Sequence, residues 1–166
     1  LVRRDNGDEG WVFGAFLQKK EPYRKEDYNT FDGERKGRDF SVPVIGTITS
    51  RYGYRVHPVT KRRESFHGGI DIAAKEGTPV RASADGTVVK AEYLRNGYGR
   101  LVIIEHEREL TTYYGHLAEI RVEKGQKVLR GDAIGTVGRT GNATGPHLHF
   151  EVRRGGDACD PEAYLR

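Results

Sequence analysis

From Ser41 onward the chain rarely runs more than a few apolar residues before a glycine or another turn former interrupts it. That punctuation leaves little room for helix. "GTITSRYGYR" alternates, and "TPVRASADGTVVKAEY" reads as two strands about an Asp85-Gly86 turn. "GRLVIIEHE" and "LTTYYGHL" read as a hairpin, "GQKVLRGDAIGTVGRTG" supplies further short strands, and "HLHFEVRRG" closes the set. Strand signals recur roughly every eight to twelve residues, and 22 glycines in 166 residues supply the turns. No amphipathic helical period of useful length competes with them. The expected fold is all-β, a sandwich or curled sheet.

Residues 1–40 have a different texture, charged and aromatic, with short alternating pieces around an Asp32-Gly33 turn signal. They are expected to form a short irregular, hairpin-like extension or the remnant of a preceding β module. The domain proper then spans residues 41–166. Such an extension can touch the cleft or a second chain. Starting at a leucine, the chain is expected to be an excised piece, with any export signal outside it. The net charge of +4 comes from basic residues scattered among acidic ones, which argues against a nucleic-acid interface. No stretch approaches the about 20 apolar residues of a membrane span. The single cysteine, Cys159, has no partner for an internal disulfide or a thiolate-rich metal site and reads as a small buried side chain.

Six histidines are present, and two sit one residue apart in "GPHLHF". On a strand, His147 and His149 share a face while Leu148 points the other way, into a core. Two imidazoles so placed are two metal ligands, one ligand beside an acid/base, or chance neighbours. "FHGGIDIA" adds His67 and Asp71, four apart, with two glycines between them that argue against helix and for a loop feeding a strand. Imidazole nitrogen and carboxylate oxygen both suit Zn²⁺. One histidine of the HLH pair completes a two-His, one-carboxylate set that leaves a fourth position for water, the pattern of a catalytic site. Two neutral imidazoles and one carboxylate leave the centre a net positive charge, enough to polarise a carbonyl and acidify water.

"SRYGYRVHPVTKRRESFHGGIDIAAKEGTPVRASADGTVV", "LTTYYGHL" and "GNATGPHLHFEV", in that order between Ile48 and Leu165, resemble the lysostaphin/LytM-type zinc peptidoglycan endopeptidases. The resemblance implies one Zn²⁺ per chain held by His67, Asp71 and His149. It places His116 and His147 beside the metal as the catalytic pair, one taking a proton from the attacking water and the other steadying the oxyanion or the leaving amine. It also implies an antiparallel sheet forming a curled β-sandwich groove with long loops as the substrate cleft, peptidoglycan peptides as substrate, and a working place outside the cytoplasmic membrane, in periplasm or wall. All five positions carry the expected residue types, unlike the metal-free regulatory relatives of the family.

Arg51, Tyr52, Tyr114, Asn142 and Thr144 are the candidate substrate contacts, the last two in a turn that delivers the HLH strand. His57 reads as a loop residue and His106 as a strand-end residue. Two other classes compete with the enzyme. A catalytically silent activator of another wall hydrolase predicts missing ligands, and none is missing. A lipoyl-like carrier, suggested by "VEKGQKVLRGDAIGTVG", needs a lysine displayed on a tight hairpin and leaves the histidines without a purpose.

Overall fold

The computed structural model describes residues 2–3, 9–10, 40–56, 63–95 and 97–166. The expected Asp32-Gly33 turn and His57 lie outside them. Strands β1 (Val2–Arg3) and β2 (Glu9–Gly10) pair antiparallel as an isolated ribbon. The remaining strands are β3 (Thr47–Ser50), β4 (Gly53–Val56), β5 (Arg63–His67), β6 (Ile70–Ala73), β7 (Pro79–Arg81) and β8 (Gly86–Leu94). They continue with β9 (Gly99–Glu105), β10 (Leu110–Ile120), β11 (Lys127–Val128), β12 (Ala133–Val137), β13 (His147–Arg154) and β14 (Asp157–Cys159). Among the described residues the only helical element is a 3-10 turn at Pro161–Ala163, started by Asp160, whose carboxylate accepts from Glu162 N–H.

Ten strands form one antiparallel sheet, ordered β11-β8-β9-β10-β13-β6-β3, with β12 bridging β10 to β7 and β14 on β13. The β9–β10 hairpin forms as expected, with Thr111 opposite Glu105. The two strands about Asp85-Gly86 both form but do not pair with each other. β7 goes to β12 and β8 to β9 and β11. Gly86 explains the detour: a Cβ there would lie 2.4 Å from the Glu105 carbonyl oxygen, so β8 is pressed against β9 from its first residue.

One core lies under the sheet. Ile70, Ile72, Tyr114, Leu117, Leu148 and Phe150 are each 2% exposed or less and belong to a single cluster. Each such side chain contributes on the order of 1.5–3 kcal/mol by leaving water. Phe40 joins that cluster. Its N–H donates to the Tyr164 carbonyl (3.1 Å), and Arg166 N–H donates back to its own carbonyl (3.1 Å), tying residue 40 to the C-terminus. Cys159 is buried, as its small size suggested. No helix among the described residues is long and apolar enough to cross a membrane.

Candidate metal centre

Strand register builds the site. His149 on β13 stands opposite Asp71 on β6 and opposite Gly115 on β10, so one row of the sheet carries Gly115, His149 and Asp71 side by side. Leu148 is fully buried on the other face, as alternation requires. His67 arrives from outside the sheet: it is the last residue of β5, which pairs with β4 as a separate ribbon, rather than part of a loop. Gly68 and Gly69 then turn the chain into β6. A Cβ on Gly69 would lie 2.2 Å from the Phe150 carbonyl oxygen. Only glycine lets the backbone pass so close to β13.

His67 Nε2 lies 3.1 Å from Asp71 Oδ1 and 3.1 Å from His149 Nδ1, and His149 Nδ1 lies 2.8 Å from Asp71 Oδ1. The far nitrogen of each ring is committed elsewhere. His67 Nδ1 faces the Arg51 carbonyl at 2.9 Å, and His149 Nε2 faces Glu151 Oε1 at 2.8 Å. Carbonyl and carboxylate oxygens only accept, so those nitrogens carry the ring protons. Two imidazole lone pairs and a carboxylate oxygen are left pointing at one another, an arrangement that repels itself unless a cation sits among them. Tetrahedral donors at about 2.1 Å from an ion are roughly 3.4 Å apart, so this triangle need open only slightly. The set fits a divalent metal, with hydrogen-bond partners already behind both imidazoles. Among the described residues these three form the one group of His, Cys, Asp or Glu able to hold an ion.

Electrostatics agree. Burial raises the Asp71 carboxyl, but hydrogen bonds and charge from His149 and His67 outweigh it and hold Asp71 well below the usual carboxylate range. Burial lowers His149, yet its bonds to Asp71 and Glu151 push it up to about 9. The pocket between these carboxylates favours positive charge, and a proton and a metal ion compete for the same Nδ1 lone pair.

His116 and His147 flank the triangle. Their rings are 4.7 Å apart, and His147 Nε2 lies 3.8 Å from Asp71 Oδ1. His147 Nδ1 donates to the Gly145 carbonyl at 2.9 Å and His116 Nδ1 to the Thr140 carbonyl at 2.7 Å, which leaves Nε2 of each ring as an acceptor. By strict alternation His116 would face the core with Tyr114. Instead the register slips on β10 between Tyr114 and Leu117, and His116 takes a positive φ of 61°. This bulge re-aims the imidazole onto the His149 face at a strain cost of order 1–3 kcal/mol. Burial, with the neighbouring His147 and His149 charges, lowers the pKa of His116 despite its bond to Thr140.

These side chains line a cleft of about 590 Å³, together with Phe66, Tyr98, Asn142, Thr144 and Glu151. A larger depression of about 780 Å³, bordered by Phe40, Asp85, His106 and Leu129, contains no such donor group. Asn142 and Thr144 therefore lie on the wall of the cleft that holds the triangle. Three other expected contacts do not line the cleft. Tyr114 is fully buried, its hydroxyl accepting from Ser83 N–H at 2.9 Å. Tyr52 is half-buried and donates to the Ala158 carbonyl at 2.9 Å. The Arg51 guanidinium is engaged with Glu162, and only its backbone oxygen serves the site. His106 lies just past β9, bonded to the Asp85 carbonyl and to Thr112, as a strand-end residue should be. Glu151 and Tyr98 were missed. The row His147, His149, Glu151, Arg153 along one strand face was the available signal for Glu151.

A profile described as Peptidase family M23 matches residues 65–161. The peptidoglycan DD-endopeptidase ShyA of Vibrio cholerae is 50% identical over 147 residues, which cover 87% of this chain and 33% of that protein. The murein hydrolase activator EnvC of Escherichia coli is 37% identical over 133 residues, covering 80% of this chain and 30% of that one. The chain thus spans about a third of the length of these relatives. Among solved structures, a zinc-containing peptidase from Vibrio cholerae superposes with a TM-score of 0.69 at 41% identity, covering 75% of this chain and 40% of that one. The catalytic domain of lysostaphin from Staphylococcus simulans superposes with a TM-score of 0.64 at 29% identity, covering 72% and 91%.

Proposed function

Because the chain belongs to peptidase family M23, we propose that it is a zinc-dependent endopeptidase that hydrolyses peptide bonds in the stems or cross-links of bacterial peptidoglycan, working outside the cytoplasmic membrane. The observation that carries this reading is the inward-facing triangle of His67 Nε2, Asp71 Oδ1 and His149 Nδ1, with two further histidines beside it in one open cleft. Zn²⁺ bound to those three atoms supplies Lewis acidity for a carbonyl and acidifies water.

The protein's own groups do the rest. His116 and His147 each keep Nδ1 on a backbone carbonyl, so each offers Nε2 to a proton. With its pKa lowered, His116 stays neutral at pH 7 and competent as a base. The ring that takes up the proton on Nε2 can then return that same proton to the leaving amine. Asn142 and Thr144 offer polar groups on the cleft wall for the substrate backbone.

A second reading is regulatory, since one relative is named as a hydrolase activator. The five histidine and aspartate positions favour the enzyme, because an activator has no need of an open metal position beside two bases. Incubating zinc-loaded protein with defined wall preparations and analysing the fragments by mass separates the two. New amino termini at peptide bonds are the expected result, and they should vanish when a chelator removes the metal. Intact peptides across all preparations would leave the regulatory reading standing.

A further inference from the structure

The two histidines of the triangle differ in what holds their far nitrogen. His67 Nδ1 rests on the Arg51 carbonyl, with Ser50 Oγ at 3.3 Å. His149 Nε2 rests on a carboxylate, Glu151, that is only 2% exposed. Both Glu151 oxygens are occupied: Oε1 by His149 Nε2 at 2.8 Å and Tyr98 OH at 2.5 Å, and Oε2 by Arg153 Nε and Nη2, both at 2.7 Å. Arg153 Nη2 also donates to Tyr98 OH at 3.2 Å, while its guanidinium lies over the Tyr113 ring, 4.4 Å from the centroid.

These contacts have only one consistent set of donors. Arginine is always protonated and has no acceptor. Its proton on the Tyr98 oxygen directs the Tyr98 proton to Glu151. A carboxylate receiving from Arg153 and Tyr98 has nothing to give His149, so the proton between them belongs to His149 Nε2. The Nδ1 lone pair is thereby turned into the triangle.

Resting on the metal-binding part of the proposed function, we propose that Glu151, oriented by Arg153 and Tyr98, is a positioning residue that selects the Nδ1-ligand tautomer of His149. The proposal has a specific consequence for Glu151→Gln. Arg153 draws the amide oxygen to itself, so the amide NH₂ must face His149 Nε2. That ring then needs its lone pair on Nε2 and its proton on Nδ1, where the metal belongs.

Zinc affinity, measured by chelator competition at fixed pH, should therefore be weaker by about 10- to 100-fold in Glu151→Gln. In the zinc-loaded parent, ¹⁵N NMR of the imidazoles should place the His149 proton on Nε2. Urea unfolding of the zinc-free proteins separates a purely structural role. A Glu151→Gln variant that is less stable yet binds zinc within about twofold of the parent would overturn the proposal, as would a His149 proton on Nδ1. If Glu151→Gln does not fold, Tyr98→Phe removes one donor and keeps the carboxylate. It should weaken zinc binding by more than about twofold, and unchanged affinity would count against the assignment. A parent that binds zinc but leaves wall peptides intact removes the peptidase reading alone. A parent that does not bind zinc removes both.

Discussion

His116 shows most clearly how a single residue reaches this site. It adopts a left-handed backbone on a strand, a conformation that side chains other than glycine avoid, and its N–H is held by the Tyr98 carbonyl at 2.8 Å. Such strain persists where the surroundings enforce it, here to bring a second imidazole within 4.7 Å of His147. Because neither ring belongs to the triangle, His116→Ala and His147→Ala should each retain zinc, read by elemental analysis, while turnover of a wall peptide falls about 10²–10⁴-fold. Loss of the metal in either variant would show that the division into ligands and acid/base groups is wrong. The residue types and spacing made His67, Asp71 and the HLH pair legible. Glu151 was passed over although period two puts it on the same face as His149. Tyr114 was misassigned because an aromatic beside a motif carries no mark of which way its strand faces.

At the level of elements, the site depends on how closely β5 and β6 approach β13. His67 ends the β4–β5 ribbon and Asp71 is the second residue of β6 in the main sheet, and Gly69 passes between them against the Phe150 carbonyl and the Glu151 Cγ. Gly69→Ala would press a methyl into backbone that cannot yield, costing about 1–3 kcal/mol or more. Urea unfolding should show that loss, and zinc affinity should fall with it as His67 is levered away from His149. A variant as stable as the parent with unchanged zinc binding would mean that the approach is looser than the backbone indicates. The strands themselves were readable from alternation and glycine punctuation. Their partners were only partly so: the β9–β10 hairpin was correct, whereas the strands about Asp85-Gly86 separate because β8 finds its register on β9.

For the whole molecule, a line of polar groups enters the core far in sequence from the metal ligands. His106 Nδ1 donates to the Asp85 carbonyl at 2.7 Å, Thr112 Oγ1 lies 2.7 Å from His106 Nε2, and the Tyr114 hydroxyl sits 3.0 Å further on. The His106 ring also lies 5.0 Å from Phe40, which bridges to Leu165. Burial lowers the pKa of His106, and the Asp85 carbonyl only partly offsets this. As pH falls, the unfolded chain, at its ordinary value of about 6.5, takes up the proton first. The stability that His106 contributes is therefore present above about pH 6.5 and is lost as pH falls through its folded value. Between pH 7.5 and pH 5 the urea midpoint of the parent should drop further than that of His106→Gln, a comparison in which the metal-site groups cancel. Equal drops would show that His106 titrates alike in both states.

By itself the sequence determined that this chain makes a glycine-punctuated antiparallel sheet and carries imidazole and carboxylate donors of the kind that hold a metal ion, because both properties follow from local order. Alternation sets which face of a strand a residue takes, and residue type sets which metal it suits. The tertiary structure decided what local order cannot express. It chose which strands share a row, that a bulge turns His116 from core to cleft, that Arg51 serves the site through its carbonyl, and that Tyr98 closes on Glu151. Those outcomes depend on contacts between residues far apart in the chain, and only the assembled sheet brings them within hydrogen-bond reach.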